Sequence, residues 1–278
     1  MEIKRSRNIG FCAGVRRTVE MAEQNRGAYV TGDELLHNPH ETRRLAEDFA
    51  ITPAPDMTKI PSGATALIRP HGITESAENE LRTRKVNIVD TTCPFVKNNQ
   101  NFARQLVGAG YHVFLFGDKG HAEVLGIADR AHGEITVFSS VDELDGLEIP
   151  SRAALISQTT KPLQEFQTAE KILSERAKDF KSICTICPAS KNNQDAAAEL
   201  AQKCDIMIII GGKNSSNTKA LAAAAEPYCA DIRLVEAADN LCPEWFNGKR
   251  LCGIAAGLST PERTINDVEN KIRQISTR

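Results

Sequence analysis

Ten residues of this chain occur twice, and each copy carries a cysteine at its third position. Thr91-Thr92-Cys93-Pro94-Phe95-Val96-Lys97-Asn98-Asn99-Gln100 returns as Thr185-Ile186-Cys187-Pro188-Ala189-Ser190-Lys191-Asn192-Asn193-Gln194, an offset of 94. A repeat of that length is too long for a solenoid turn and matches a small domain. The chain therefore reads as copies of one fold with a thiol at the pivot. Cys12 stands at the opening of a third stretch of helical spacing, so three thiols would meet where three copies meet.

The rest of the pattern supports repetition. Runs rich in β-branched and aromatic residues at 28–31, 64–68, 86–89, 112–116, 153–157, 206–210, 232–235 and 251–255 predict strands. Between them, Val15/Val19/Ala22, Phe95/Phe102/Leu106 and Ala197/Leu200/Ala201 have the spacing of amphipathic helices. The alternation predicts an α/β architecture with parallel-rich sheets. The 94-residue offset continues beyond the decapeptide: Phe114-Leu115-Phe116-Gly117, leading to His121, aligns with Ile208-Ile209-Ile210-Gly211, leading to Ser215. Tyr29-Val30-Thr31-Gly32, leading to His37, is the counterpart in the first copy. A second strand end recurs at Ile68-Arg69-Pro70-His71, Ile156-Ser157-Gln158-Thr159 and Ala255-Ala256-Gly257-Leu258-Ser259, with His71 expected opposite Thr159. Three pseudo-symmetric units are expected at 12–92, 93–183 and 184–261, residues 1–11 returning to complete the third, with a terminal helix over 262–278. In parallel α/β sheets ligands bind beyond the carboxyl ends of the strands, where these polar tips fall.

Composition narrows the function. A formal net charge of −2, with Lys and Arg scattered, argues against a nucleic-acid or anionic-membrane surface. The N-terminus has no apolar stretch of signal-peptide length, and 206–210 is far too short to span a bilayer. A cytoplasmic location is the default expectation. In such a reducing compartment the eight cysteines are expected as thiols or metal ligands rather than structural disulfides.

Three thiolates at helix starts, where amide dipoles favour negative sulfur, can hold zinc, an iron–sulfur cluster, or a disulfide with a spare thiol. A cubic [4Fe–4S] cluster normally takes four cysteines, so three leave one iron open as a Lewis acid. Cys204, Cys229, Cys242 and Cys252 read as small buried hydrophobes. Cys184 forms a CxxC with Cys187 but has no repeat partner, because its equivalent is Asp90. His37, His71 and His121 fall on the loop tips beside Ser215-Ser216-Asn217 and Ser259, a donor set suited to phosphate or diphosphate. Gly211-Gly212-Lys213-Asn214 is not a Walker A loop, and Gly10 to Gly14 is not a dinucleotide fingerprint. Glu123, two residues beyond His121, can face the same cavity, where desolvation and an anionic ligand would raise its proton affinity for general acid work. Thr159-Thr160 can relay that proton or hold a substrate hydroxyl. These residues leave three classes open: an iron–sulfur reductase, a zinc- or phosphate-binding module, and a thiol–disulfide enzyme centred on Cys184 and Cys187.

In order along the chain, Gly10-Phe11-Cys12-Ala13-Gly14-Val15, Leu36-His37-Asn38, His71-Gly72, Asp90-Thr91-Thr92-Cys93-Pro94, Gly120-His121-Ala122-Glu123, Ser157-Gln158-Thr159-Thr160, Thr185-Ile186-Cys187, Gly212 to Asn217 and Ala256 to Pro261 resemble the motifs of the 4-hydroxy-3-methylbut-2-enyl diphosphate reductases. The resemblance covers nearly the whole chain. It implies a trefoil of three α/β units around a central [4Fe–4S] cluster, with Cys12, Cys93 and Cys187 as its ligands. It also implies that His37, His71, Ser215, Asn217 and Ser259 hold the diphosphate, with Ser216 beside them and His121 reaching the same ligand. Glu123 would supply protons, and Thr159 would lie next to the substrate hydroxyl. The implied reaction is a reductive dehydroxylation that consumes two electrons and two protons and yields isopentenyl and dimethylallyl diphosphates. The chain shows no flavin or nicotinamide motif, so the electrons are expected from a ferredoxin- or flavodoxin-type carrier. Ala122, Leu258, Arg69 and the Pro188-to-Gln194 segment depart from the family's usual residues, a pattern that also suits a divergent member acting on another allylic diphosphate.

Overall fold

The structure is a computed structural model and describes residues 1–276. The chain opens with β1 (Glu2–Arg5) and α1 (Ala13–Gln24). There follow β2 (Tyr29–Thr31), α2 (Pro39–Phe49), β3 (Thr52–Ala54), β4 (Thr65–Ile68), α3 (Glu75–Thr83) and β5 (Asn87–Asp90). Next come α4 (Pro94–Gly108), β6 (His112–Phe116), α5 (Ala122–Ala131), β7 (Ile135–Phe138), β8 (Arg152–Ser157), α6 (Leu163–Arg176) and β9 (Asp179–Ser182). The chain continues through α7 (Pro188–Ala201), β10 (Ile206–Ile210), α8 (Ser216–Ala225), β11 (Ile232–Val235), β12 (Leu251–Ala256) and α9 (Glu262–Ser276). The expected terminal helix forms as α9, and its last two positions, 277 and 278, lie outside the described residues.

These strands make three four-stranded sheets, ordered β3-β2-β4-β5, β7-β6-β8-β9 and β1-β12-β10-β11, and the pairings between neighbouring strands are parallel. Two compact units hold them. One consists of 1–16, 36–43 and 188–278 and contains the β1-β12-β10-β11 sheet; the other consists of 17–35 and 44–187 and contains the remaining two.

The central strands explain themselves chemically. Ile206 to Ile210 are fully buried because apolar layers cover both faces of the sheet, the situation in which parallel strands read as unbroken apolar runs. On one face Ile206, Ile208 and Ile210 pack with Ile265, Val268 and Ile272 of α9; on the other Met207 and Ile209 pack with Ala197, Leu200 and Ala201 of α7. β6 repeats the arrangement, with Val113 and Leu115 against α4 and α5, and Phe114 and Phe116 against α6. Each such side chain contributes roughly 1.5–3 kcal/mol through burial.

The connectivity places the cysteines. α4 follows the last strand of the first sheet, β5, yet packs on the second sheet through Ala103 and Leu106. Likewise α7 follows β9 and packs on the sheet of β10 and β12. α1 follows β1 and is tied to the end of the β5 sheet by Thr18 Oγ1, which donates to the Thr91 carbonyl. Cys12, Cys93 and Cys187 each immediately precede one of these three helices, at the crossover from one sheet to the next. Phe95, expected on the buried face of α4, is instead 46% exposed, because the buried stripe of the helix runs through Val96, Asn99, Gln100 and Ala103, one position away.

Candidate active site

Each cysteine is fixed by the same backbone bond. The amide N–H of Cys93 donates to the Pro70 carbonyl at 2.9 Å, that of Cys187 to Thr159 at 2.9 Å, and that of Cys12 to Leu258 at 3.4 Å. Every acceptor lies two residues past the end of its strand, β4, β8 or β12. A thiol is thus attached beside each second polar tip. The same bonds correct the expected register: Pro70, not His71, corresponds to Thr159, and His71 falls level with Thr160 and Ser259. The cause is that pairing at the strand end, rather than likeness of side chains, sets the correspondence.

All three thiols are half-buried. Val15 N–H donates to Cys12 Sγ at 3.4 Å, at the first turn of α1. An amide aimed at sulfur from a helix start suits a thiolate ligand. Among the other cysteines, Cys229 and Cys252 are buried, whereas Cys242 and Cys184 are exposed. Burial pushes the Cys252 thiol up to about 12 and the half-buried Cys204 thiol up to about 11, with neighbouring thiols adding to both shifts. These are poor nucleophiles and poor ligands. Cys242, expected as a buried hydrophobe, is a surface residue because it sits in the exposed connection before β12.

In the unit of residues 17–35 and 44–187, the β6 tip and α5 present the acid. His121 is the N-cap of α5, its Nδ1 accepting the Glu123 N–H at 3.2 Å. Its ring meets that of His71 edge-on, with centroids 5.2 Å apart. Glu123 is 1% exposed. Thr159 grips both carboxylate oxygens, through N–H to Oε1 at 2.7 Å and Oγ1–H to Oε2 at 2.8 Å. Burial pushes the Glu123 carboxyl up to about 7; hydrogen bonds from Thr159 and Asn99 oppose the shift, and the Asp118 charge adds to it. Glycine is required nearby at Gly117, where a Cβ would lie 2.6 Å from Val124 Cγ2.

In the other unit three tips carry His37 and Asn38, Ser215 to Asn217, and Ser259. Ser215 is the N-cap of α8, and Ser216 and Asn217 begin that helix. Asn38 Oδ1 accepts the Glu41 N–H at the start of α2, while Asn38 Nδ2 donates to the Ser259 carbonyl at 3.1 Å. That bond ties the tip carrying His37 to the tip carrying Ser259. A Cβ on Gly212 would lie 2.5 Å from the His37 carbonyl oxygen. The strand-end loops at 37–38, 212–217 and 257–259 are therefore in close contact within one unit. Asn217 Nδ2 is enclosed and has no hydrogen-bond partner, so the cradle offers a donor to an acceptor such as a phosphate oxygen.

Asn38 and Ser190 carry contacts that the sequence reading did not assign. Ser190 donates to Asn217 Oδ1 at 3.2 Å. Asn99 and Asn193, 94 apart, both donate to the last carbonyl of the strand their helix covers, Ser157 and Ala256. The shared decapeptide contained that signal; nothing local marked Ser190.

Comparison with known proteins adds to this geometry. The family model described as LytB protein matches residues 3–273. A Campylobacter hominis protein named 4-hydroxy-3-methylbut-2-enyl diphosphate reductase is 41% identical over 272 residues, covering 98% of this chain and 98% of its own. A Helicobacter pylori (strain Shi470) protein of the same name is 40% identical over 275 residues, covering 99% and 100%. A solved structure of (E)-4-hydroxy-3-methyl-but-2-enyl diphosphate reductase, described as the terminal enzyme of the non-mevalonate pathway, is similar at a TM-score of 0.70 and 33% identity, covering 99% and 100%. The Plasmodium falciparum E-1-hydroxy-2-methyl-but-2-enyl-4-diphosphate reductase shares the fold, with a TM-score of 0.91 at 24% identity over 97% of this chain and 87% of that one.

Proposed function

The chain belongs to the LytB protein family, and on that premise we propose that it reduces 4-hydroxy-3-methylbut-2-enyl diphosphate to isopentenyl and dimethylallyl diphosphates. The substrate takes up two electrons and two protons, its allylic C–O bond breaks, and the hydroxyl leaves as water. Three half-buried thiols, each at a helix start, are a soft donor set that fits an iron–sulfur cluster. Cys12, Cys93 and Cys187 would hold a [4Fe–4S] cluster, which when bound supplies electrons and one Lewis-acidic iron.

The chain's own residues do the rest. Ser215, Asn217, Ser259 and His37 hold the diphosphate, with Ser216 beside them and His71 and His121 as further donors. Glu123, kept protonated near neutral pH by burial, gives its proton to the leaving hydroxyl, and Thr159 orients the carboxyl group. The observation that carries this reading is that Thr159 serves two partners: its N–H and hydroxyl hold Glu123, while its carbonyl accepts the Cys187 N–H. On this reading one residue would hold both the proton donor and a cluster ligand.

Electrons would come from a ferredoxin- or flavodoxin-type carrier. The cytoplasm suits the eight cysteines, all free thiols, and among the described residues no helix is long and apolar enough to cross a membrane. The test is an anaerobic assay with the allylic diphosphate and an artificial reductant, with product and metal analysis. Iron with both isoprenoid diphosphates is the expected result; zinc without turnover would favour a non-catalytic module.

A further inference from the structure

Asn217 occupies the position that corresponds to Glu123, since the two are 94 residues apart and each is the second residue of the helix after a strand tip. Their partners differ. Glu123 is held by Thr159, whereas Asn217 is held from α7: Gln194 Nε2 donates to Ser190 Oγ at 3.2 Å, and Ser190 Oγ donates to Asn217 Oδ1 at 3.2 Å. Gln194 and Ser190 are one turn apart and 7% and 0% exposed.

This chain of donors has a direction. The Gln194 N–H occupies a lone pair of the Ser190 oxygen, so the single hydroxyl hydrogen goes to Asn217. Oδ1 of Asn217 is thereby fixed as the acceptor, and its NH2 must face the other way. That group is buried without a partner, 3.6 Å from where a Cβ on Gly257 would lie, at the tip that carries Ser259. A buried donor left unmatched costs about 1–3 kcal/mol, so a site of this kind is built for an acceptor. The fold does not need the hydroxyl: the equivalent of Ser190 in the preceding repeat is Val96, which is buried as an ordinary apolar residue.

We propose that Ser190, held by Gln194, is a positioning residue of the diphosphate site, locking the Asn217 side chain with its NH2 turned toward a phosphate oxygen. Neither Ser190 nor Gln194 touches the substrate. The inference rests on the diphosphate reading above and adds residues that determine the polarity of the cradle.

The test is calorimetric titration of inorganic diphosphate into the anaerobically prepared holoenzyme, with steady-state kinetics on the allylic diphosphate. Ser190→Ala frees the Asn217 amide to rotate and weakens diphosphate binding about tenfold, the loss appearing mainly in KM rather than kcat. Ser190→Thr keeps the hydroxyl and restores binding to within about threefold. Asn217→Asp, isosteric with the native residue, replaces the outward donor with an acceptor and binds more weakly than Ser190→Ala. Native affinity in folded Ser190→Ala, or a threonine variant no better than the alanine one, overturns the positioning role. So does undiminished binding in Asn217→Asp, which carries the test if Ser190→Ala does not fold. If Asn217→Ala loses diphosphate and Ser190→Ala does not, only the positioning fails; if the native holoenzyme binds no diphosphate, the functional reading fails with it.

Discussion

At the scale of single residues, Glu123 is the most consequential group. Its ordinary value is 4.5 and burial raises it to about 7, so in the proposed role of proton donor it would be active below that pH and the activity should fall above it. Glu123→Gln should retain iron and diphosphate binding while turnover drops by at least about a hundredfold, the usual weight of a general acid. Thr159→Val removes a hydrogen bond that favours the carboxylate, so its alkaline limb should move to higher pH in a pH–rate profile. Linkage gives the sign for stability. Between about 4.5 and 7 the unfolded chain releases this proton while the folded chain keeps it, so stability present below the unfolded value is lost as pH rises through the folded one. Denaturant titrations at pH 8 should therefore find Glu123→Gln more stable than the native protein, by up to about 3 kcal/mol. The sequence singled out Glu123 from its place two residues after a tip histidine, and the structure buries it there. Its grip by Thr159 was only half legible, because the contact joins residues 36 apart in sequence, and Asn38 and Ser190 take their roles from equally distant partners.

At the scale of elements, the strand ends and helix starts make the site, and glycine lets them approach. Gly212→Ala would drive a methyl group into the His37 carbonyl, where the Cβ has 2.5 Å of room against backbone that cannot rotate away. Diphosphate affinity should fall severalfold, with a melting temperature several degrees lower. Asn38→Ala removes both the α2 cap and the tie to Ser259, and should destabilise the chain by about 1–2 kcal/mol in denaturant unfolding. The strands legible in the sequence include every central one, β2, β4, β6, β8, β10 and β12, because burial on both faces forces unbroken apolar runs. The four that were not, β1, β3, β7 and β9, are all edge strands. Glu2–Arg5 and Asp179–Ser182 alternate exposed and half-buried positions, and Thr52–Ala54 is three residues with a proline at its centre. Such segments become strands only when a neighbour supplies the ladder, which is tertiary information.

At the scale of the whole molecule, the fold repeats one plan: a four-stranded parallel sheet and a cysteine at the crossover out of it, followed by a helix, of which α4 and α7 cover the next sheet and α1 is tied to it through Thr18. We take each sheet with its flanking helices as the repeating unit, bounded near 12–92, 93–183 and 184–261, with β1 completing the last. The decapeptide made that plan visible because its Asn and Gln are as constrained as its cysteine: Asn99 and Asn193 are fully buried against strand ends. On the proposed function the thiols act as a set, so replacing any one of Cys12, Cys93 or Cys187 with Ser should remove most of the bound iron, whereas Cys184→Ser should leave it. The most direct test is a Mössbauer spectrum of the anaerobic, iron-57-enriched protein with and without the allylic diphosphate. About four irons per chain are expected, with roughly a quarter of the signal, the iron without a cysteine, shifting when the diphosphate is added. A protein that carries zinc or no metal, or an iron spectrum that the diphosphate leaves unmoved, would contradict the account.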